Sequence, residues 1–181
     1  MTDFSPQPAA ILSRQRGASL LEGIAYLGIA AIVILGAVSL LTGAFSSAQS
    51  NRVSEEIVSI RTGVKKLYSS QSSGYGTADL NATLVSAKVF PSTLTATAAG
   101  AATNSWGGSV TVTGATSTFN IVYTGVPQDV CINALSGATG WASITGNANA
   151  AITTFPVTPA DAAAACSVST SAGNTITWAS N

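Results

Sequence analysis

The chain has 181 residues, 46% hydrophobic and only 8% charged, with seven acids, seven bases and no histidine, about a third of the charge of an ordinary soluble domain. Zero net charge leaves no clustered basic surface for nucleic acid. The missing histidine removes the usual general base and the commonest metal ligand, and two cysteines cannot by themselves build a zinc site.

What remains is a membrane, secreted or structural protein, expected to carry no catalytic residues, metal or cofactor. The charges are also unevenly placed. Between residues 18 and 51 Glu22 is the sole charge, residues 52–66 hold six of the fourteen, and after Leu67 only Asp79, Lys88, Asp129 and Asp161 remain. The Ser- and Thr-rich second half has the composition of a low-complexity segment, but its β-branched alternation and recurring aromatics predict a folded one.

Residues 23–45 run for 23 positions without a charge, enough for a helix to cross about 30 Å of hydrocarbon. Arg14 and Arg16 precede it, so the positive-inside rule puts the N-terminus in the cytoplasm and the rest outside. A cleaved signal peptide ending near Ser46-Ser47-Ala48 is the alternative. The apolar run exceeds an ordinary signal core of about 7–15 residues, and Glu22 at its mouth is costly to insert.

The stretch Arg14-Gln15-Arg16-Gly17-Ala18-Ser19-Leu20-Leu21-Glu22 resembles the prepilin signature: a hydrophilic leader ending in Gly, with Glu at the fifth position after the cut. Its Ala-Ser-Leu-Leu-Glu start and long leader are similar to the type IVb pilin class. The resemblance implies a leader 1–17, cleavage after Gly17 by a membrane prepilin peptidase, and Ala18 as the new N-terminus. It also implies methylation there, where Ala18 replaces the commoner Phe or Met. An α-amino group of pKa ~7.7–8.0 is mostly protonated at neutral pH. In a polymer of such helices, a neighbour's Glu22 can neutralise the Ala18 amine and set subunit register. The plainer reading makes Glu22 an interfacial acid favoured by the helix dipole.

The chain then divides into a filament-core or transmembrane half-helix, 18–45, and an amphipathic half, 46–73. In the latter Val53, Ile57, Ile60, Val64 and Leu67 form one apolar stripe. Arg52 and Glu56 are expected to pair on the wet side, with Glu55-Glu56 and Lys65-Lys66 on a solvated face or, alternatively, cross-linking neighbouring subunits. A helix over about 19–70 would be roughly 75–80 Å long, stopped by the Ser-rich cluster ending at Gly74. Its stripe packs on a head or, alternatively, forms a coiled-coil dimer. Glycines 23, 28, 36 and 43 suit close helix packing or merely reflect common membrane-helix usage. Ser39 stands where type IVa pilins usually have proline.

Residues 74–181 read as a head. A short helix is predicted over 77–88, capped by Thr77, then a small-residue linker over 93–103. Strands over 109–113 and 118–124 are separated by Gly114-Ala115. A helix over 126–135 carrying Cys131, a strand over 141–145, a helical turn over 159–166 with proline in its first turn, and a closing strand over 174–179 complete it. The fold class is α+β: a long N-terminal helix, a small antiparallel head and a C-terminal disulfide loop. The Asn104-Ser105-Trp106-Gly107-Gly108 turn, the Val126-Pro127 step and the closing strand resemble PilS-type pilins. That turn lacks the Gly-Lys-Ser/Thr pattern of a phosphate loop, and Asp79, Asp129 and Asp161 are too scattered for calcium.

Cys131 and Cys166 both follow the apolar segment, on the oxidising side. Bridging them would resemble the disulfide-bounded region of pilins, here 131–166; two free buried thiols are the alternative. The family resemblance thus implies a structural subunit polymerising with itself into a surface filament for adhesion, cell–cell contact or conjugation. Its expected partners are the prepilin peptidase, an assembly ATPase with its platform, and the inner membrane before assembly. A secretion-system pseudopilin and a secreted binding module cut after Ala48 are the competing readings.

Overall fold

The computed structural model describes residues 20–181; the expected leader 1–17 and cleavage positions Gly17 and Ala18 lie outside the described residues. A 49-residue helix α1 (Leu20–Tyr68) is followed by α2 (Asn81–Ser86), β1 (Thr95–Ala96), β2 (Ala102–Thr103), β3 (Ser109–Ala115) and β4 (Thr118–Val126). Then come α3 (Gln128–Leu135), β5 (Ser143–Gly146), α4 (Pro159–Ala165) and β6 (Asn174–Ser180). The chain divides into two compact units, the first ending at Leu41 and the second running Thr42–Asn181.

In the first unit α1 has no polar face, and Leu20, Leu27, Ile32, Leu35 and Leu40 are all exposed. An all-round apolar helix with no protein over it belongs in a membrane or inside an assembly. By length and hydropathy it can cross a membrane.

In the second unit the strands form one antiparallel sheet, ordered β1-β2-β3-β4-β6-β5. Alternation along β6, and along β4 up to an irregularity between Tyr123 and Val126, buries Phe119, Ile121, Tyr123, Ile176 and Trp178 on one face. Val53, Ile57, Ile60 and Val64 of α1 belong to the same core, the stripe expected from their spacing. Leu67, its expected last member, is instead 37% exposed. Tyr68 takes its place, four residues after Val64 and therefore nearly in line with it, with its ring 5.6 Å from Tyr75.

Three head predictions need correction. The helix expected over 77–88 starts only at Asn81, and Thr77 does not cap it. Gly76 and Asp79 instead bridge to Thr116 and Thr113, which holds this stretch extended along β3. The expected linker over 93–103 contains β1 and β2, paired with each other and then with β3. Gly114-Ala115 is not the hairpin turn: Gly114 pairs with Phe119 inside the ladder, and the reversal is at Thr116-Ser117, with Thr116 at φ 61°. Glycine is required at 114 because a Cβ there would overlap the backbone carbonyls of Tyr75 and Gly76. Smaller shifts move the first turn of the 126–135 helix to Gln128 and the 141–145 strand to Ser143–Gly146.

Candidate functional site

Two surfaces carry the unusual chemistry: the uncovered apolar half of α1, and the seat that its second half makes in the head. Glu22 lies in the first turn of α1 and is exposed among exposed leucines and isoleucines. Its expected partner, the Ala18 amine, and the cut site at Gly17 lie outside the described residues. A Cβ built at Gly23, Gly28, Gly36 or Gly43 would meet nothing within 4 Å, so this helix is open on the glycine faces as well.

The seat overturns one expectation. Glu56 is not on the wet side; its side chain is 6% exposed, against 48% for Arg52, whose Nε lies 3.8 Å from Glu56 Oε1. The buried Tyr123 hydroxyl donates to Glu56 Oε2 at 3.2 Å. Glu56 falls three residues after Val53 and four before Ile60, which places it within the buried stripe rather than opposite it. Burial first, then the negative Glu56 and the bond donated to it, hold the Tyr123 phenol well above the ordinary tyrosine value. A raised folded-state value leaves stability intact below about pH 10 and erodes it as pH climbs further. Tyr123→Phe should therefore destabilise the head by about 1–3 kcal/mol, since a buried carboxyl loses its donor. It should also flatten the alkaline loss of stability; thermal melts of both proteins at pH 7 and above pH 10 check this.

Polar contacts fix the helix at both ends of the seat. Trp106 Nε1 donates to Gln49 Oε1 at 2.7 Å, and Asn133 Nδ2 donates to Ser46 Oγ at 3.3 Å. Trp106 is presented by the predicted turn, in which Asn104 Oδ1 accepts from the backbone N–H groups of Trp106 and Gly108. Gly107 supplies the expected positive φ, 79°; Gly108 is needed for space, because a Cβ there would overlap the Thr124 carbonyl. Further along α1, Arg61 Nε donates to Ser180 Oγ at 2.9 Å and its guanidinium lies 4.7 Å over the Trp141 ring.

Cys131 in α3 and Cys166, just past α4, form a disulfide with Cα atoms 5.9 Å apart, joining positions separated by 35 in sequence. Gln128 Nε2 donates to the Cys166 carbonyl at 3.0 Å. The sequence reading missed the asparagines that tie this region to the sheet. Asn174 Nδ2 donates to the Val126 and Val168 carbonyls, and its Oδ1 accepts from Val168 N. Asn81 does the same between α2 and β3, bonding Gly100, Val110 and Val112. The available signal was asparagine beside β-branched runs, where a buried amide can satisfy stray backbone groups. Asp79, Asp129 and Asp161 line three separate hollows of about 520, 420 and 350 Å³.

Residues 47–181 match the protein family described as PilS N terminal. The fold is similar to the crystal structure of type IV b pilin from Salmonella typhi, at a TM-score of 0.55 and 24% sequence identity, covering 68% of this chain and 93% of that chain. A comparison with curated proteins gave no match.

Proposed function

The chain belongs to the PilS family, and from that premise we propose that it is a type IVb pilin, the major subunit of a type IVb pilus. It is made as a prepilin anchored in the inner membrane by 18–45, with the head on the periplasmic side. A prepilin peptidase removes residues 1–17 by cutting between Gly17 and Ala18. An assembly ATPase and its membrane platform then move the subunit into a helical homopolymer, where 18–45 becomes the core and the head, including 131–166, the surface. Cell–cell contact is the proposed use, with conjugative mating first and adhesion second.

The observation that carries this reading is the pairing of a bare apolar half-helix with a head whose core is complete without it. Such a helix is unfavourable in water, and either lipid or copies of itself would cover it. Between copies, close packing rather than the hydrophobic effect decides, and the open faces at Gly36 and Gly43 permit it. A head with few charges packs beside identical heads without like-charge repulsion.

Electron microscopy of filaments sheared from cells overexpressing the chain tests this. Antibody against the head should label filaments along their whole length. A chain that stays in the membrane fraction without labelled filaments would favour the pseudopilin and overturn the proposal.

A further inference from the structure

The helices of the second unit pack on one side of its sheet. The α1 stripe, Leu84 of α2 and the buried residues of α3 and α4 share a single core with the inward side chains of the strands. Val122 and Ala179, which point the other way, do not belong to that core. The opposite face is therefore uncovered by the described residues.

Strand register arranges that face in two rows that each cross four strands. Thr111, Val122, Thr177 and Thr145 form one row; Thr113, Asn120, Ala179 and Ser143 form the other. All are partly exposed. Strand geometry spaces them about 4.8 Å apart within a row and about 6.8 Å between rows.

Outward threonine is ordinary in a strand, so its presence alone decides nothing. Two further features do. A well-solvated surface is about 25–35% charged, whereas both rows are free of charge from end to end. The hydroxyls of Thr111, Thr113, Thr145, Thr177 and Ser143 and the amide of Asn120 also bond no other group of the described residues. Further along the same strands, by contrast, the Ser109 and Thr124 hydroxyls bond each other at 3.0 Å.

These features narrow the partner. A face without charge offers nothing to nucleic-acid phosphates, acidic polysaccharides or metal ions. Val122 is its one large apolar side chain, too little to enter lipid. Its area is roughly 250 Å², against about 800 Å² that each partner buries in a stable protein interface. A neutral polysaccharide needs neither charge nor a large area. Its rings present hydroxyls beside C–H edges, and each threonine presents a hydroxyl beside a methyl. Such a contact desolvates no charge.

We propose that the outer face of β3, β4, β6 and β5 binds neutral polysaccharide, with the free hydroxyls and the Asn120 amide supplying the hydrogen bonds. The contact of one copy stands whether or not the chain polymerises. Its multiplication into a strong attachment along a filament rests on the proposed function.

The test passes the full chain, in a polyoxyethylene detergent with no sugar headgroup to compete, over mannan and dextran beads. Alginate beads are the anionic comparison. Retention on at least one neutral polymer, and less on alginate, is expected. Thr111→Val/Thr177→Val/Thr145→Val keeps the β-branched shape of one row and removes three hydroxyls. It should cut retention about tenfold, with the melting temperature and the Cys131–Cys166 bridge unchanged. If that variant aggregates, Thr177→Lys places a charge within the face, and a similar loss is expected. Equal retention of wild type and variant, equal retention on alginate, or no retention of wild type on mannan or dextran overturns the binding face and leaves the pilin reading intact. Lower filament yield with unchanged retention in the valine variant also overturns it, making the face a contact between copies. Wild-type cells without filaments would overturn the polymer reading alone, because dispersed single chains still report the contact.

Discussion

Glu22→Ala is expected to abolish filaments in a strain without the wild-type chain, while leader removal continues. The two roles open to Glu22 differ in magnitude. As an acid at a helix N-terminus it contributes about 0.3–1 kcal/mol through the dipole, too little for its loss to stop assembly. As the partner of a neighbour's Ala18 amine in a dry core, its removal strands a buried charge, at about 3–5 kcal/mol per contact. That cost recurs at every subunit, so polymerisation fails rather than slows. Glu22 is exposed in a helix with no other charge between residues 20 and 41, so no acid nearby can substitute. Immunoblots of sheared and cell fractions give the answer. Processed chain confined to the membrane is the expected outcome, and normal filament yield would leave Glu22 with only the dipole role.

The second large effect is expected at the disulfide. Cys131→Ser or Cys166→Ser opens a loop closed between positions separated by 35 in sequence, whose closure is worth about 3–4 kcal/mol on the chain-entropy model. The loop carries α3, β5 and α4, and the bridge joins α3 to the end of α4. For a head of this size the loss should lower the melting temperature by about 10 °C, read on the full chain in detergent. An unchanged melting temperature would mean that the sheet and the Asn174 bonds hold the region without the bridge.

Much of this was legible in the residues because it rests on period and composition. The long helix is announced by its apolar run and by the stripe Val53, Ile57, Ile60 and Val64, and it was found at Leu20–Tyr68. The short helix at Pro159 and the closing strand at Asn174 were legible from a proline in the first helical turn and β-branched alternation. What failed depends on distant partners. Gly114-Ala115 has turn-like local chemistry, yet the crossing of Tyr75 and Gly76 is what demands the glycine. Thr95–Ala96 and Ala102–Thr103 are too short to show a period and become strands only by pairing outward from β3. Glu56 was misassigned because its charge outweighed its position. The same spacing that revealed the stripe puts residue 56 inside it, and the Tyr123 hydroxyl makes that burial tolerable. Glu22 was legible as the lone acid of an apolar segment, whereas Gln49 and Arg61 act through partners that no local pattern signals.

The central claim is that the apolar helix is kept and becomes the filament core, and the mature N-terminus tests it most directly. Mass spectrometry of the chain recovered from sheared surface filaments should find Ala18 as the first residue, with or without an added methyl group. A mature chain beginning at Gln49, released into the medium without residues 18–48, would contradict the account.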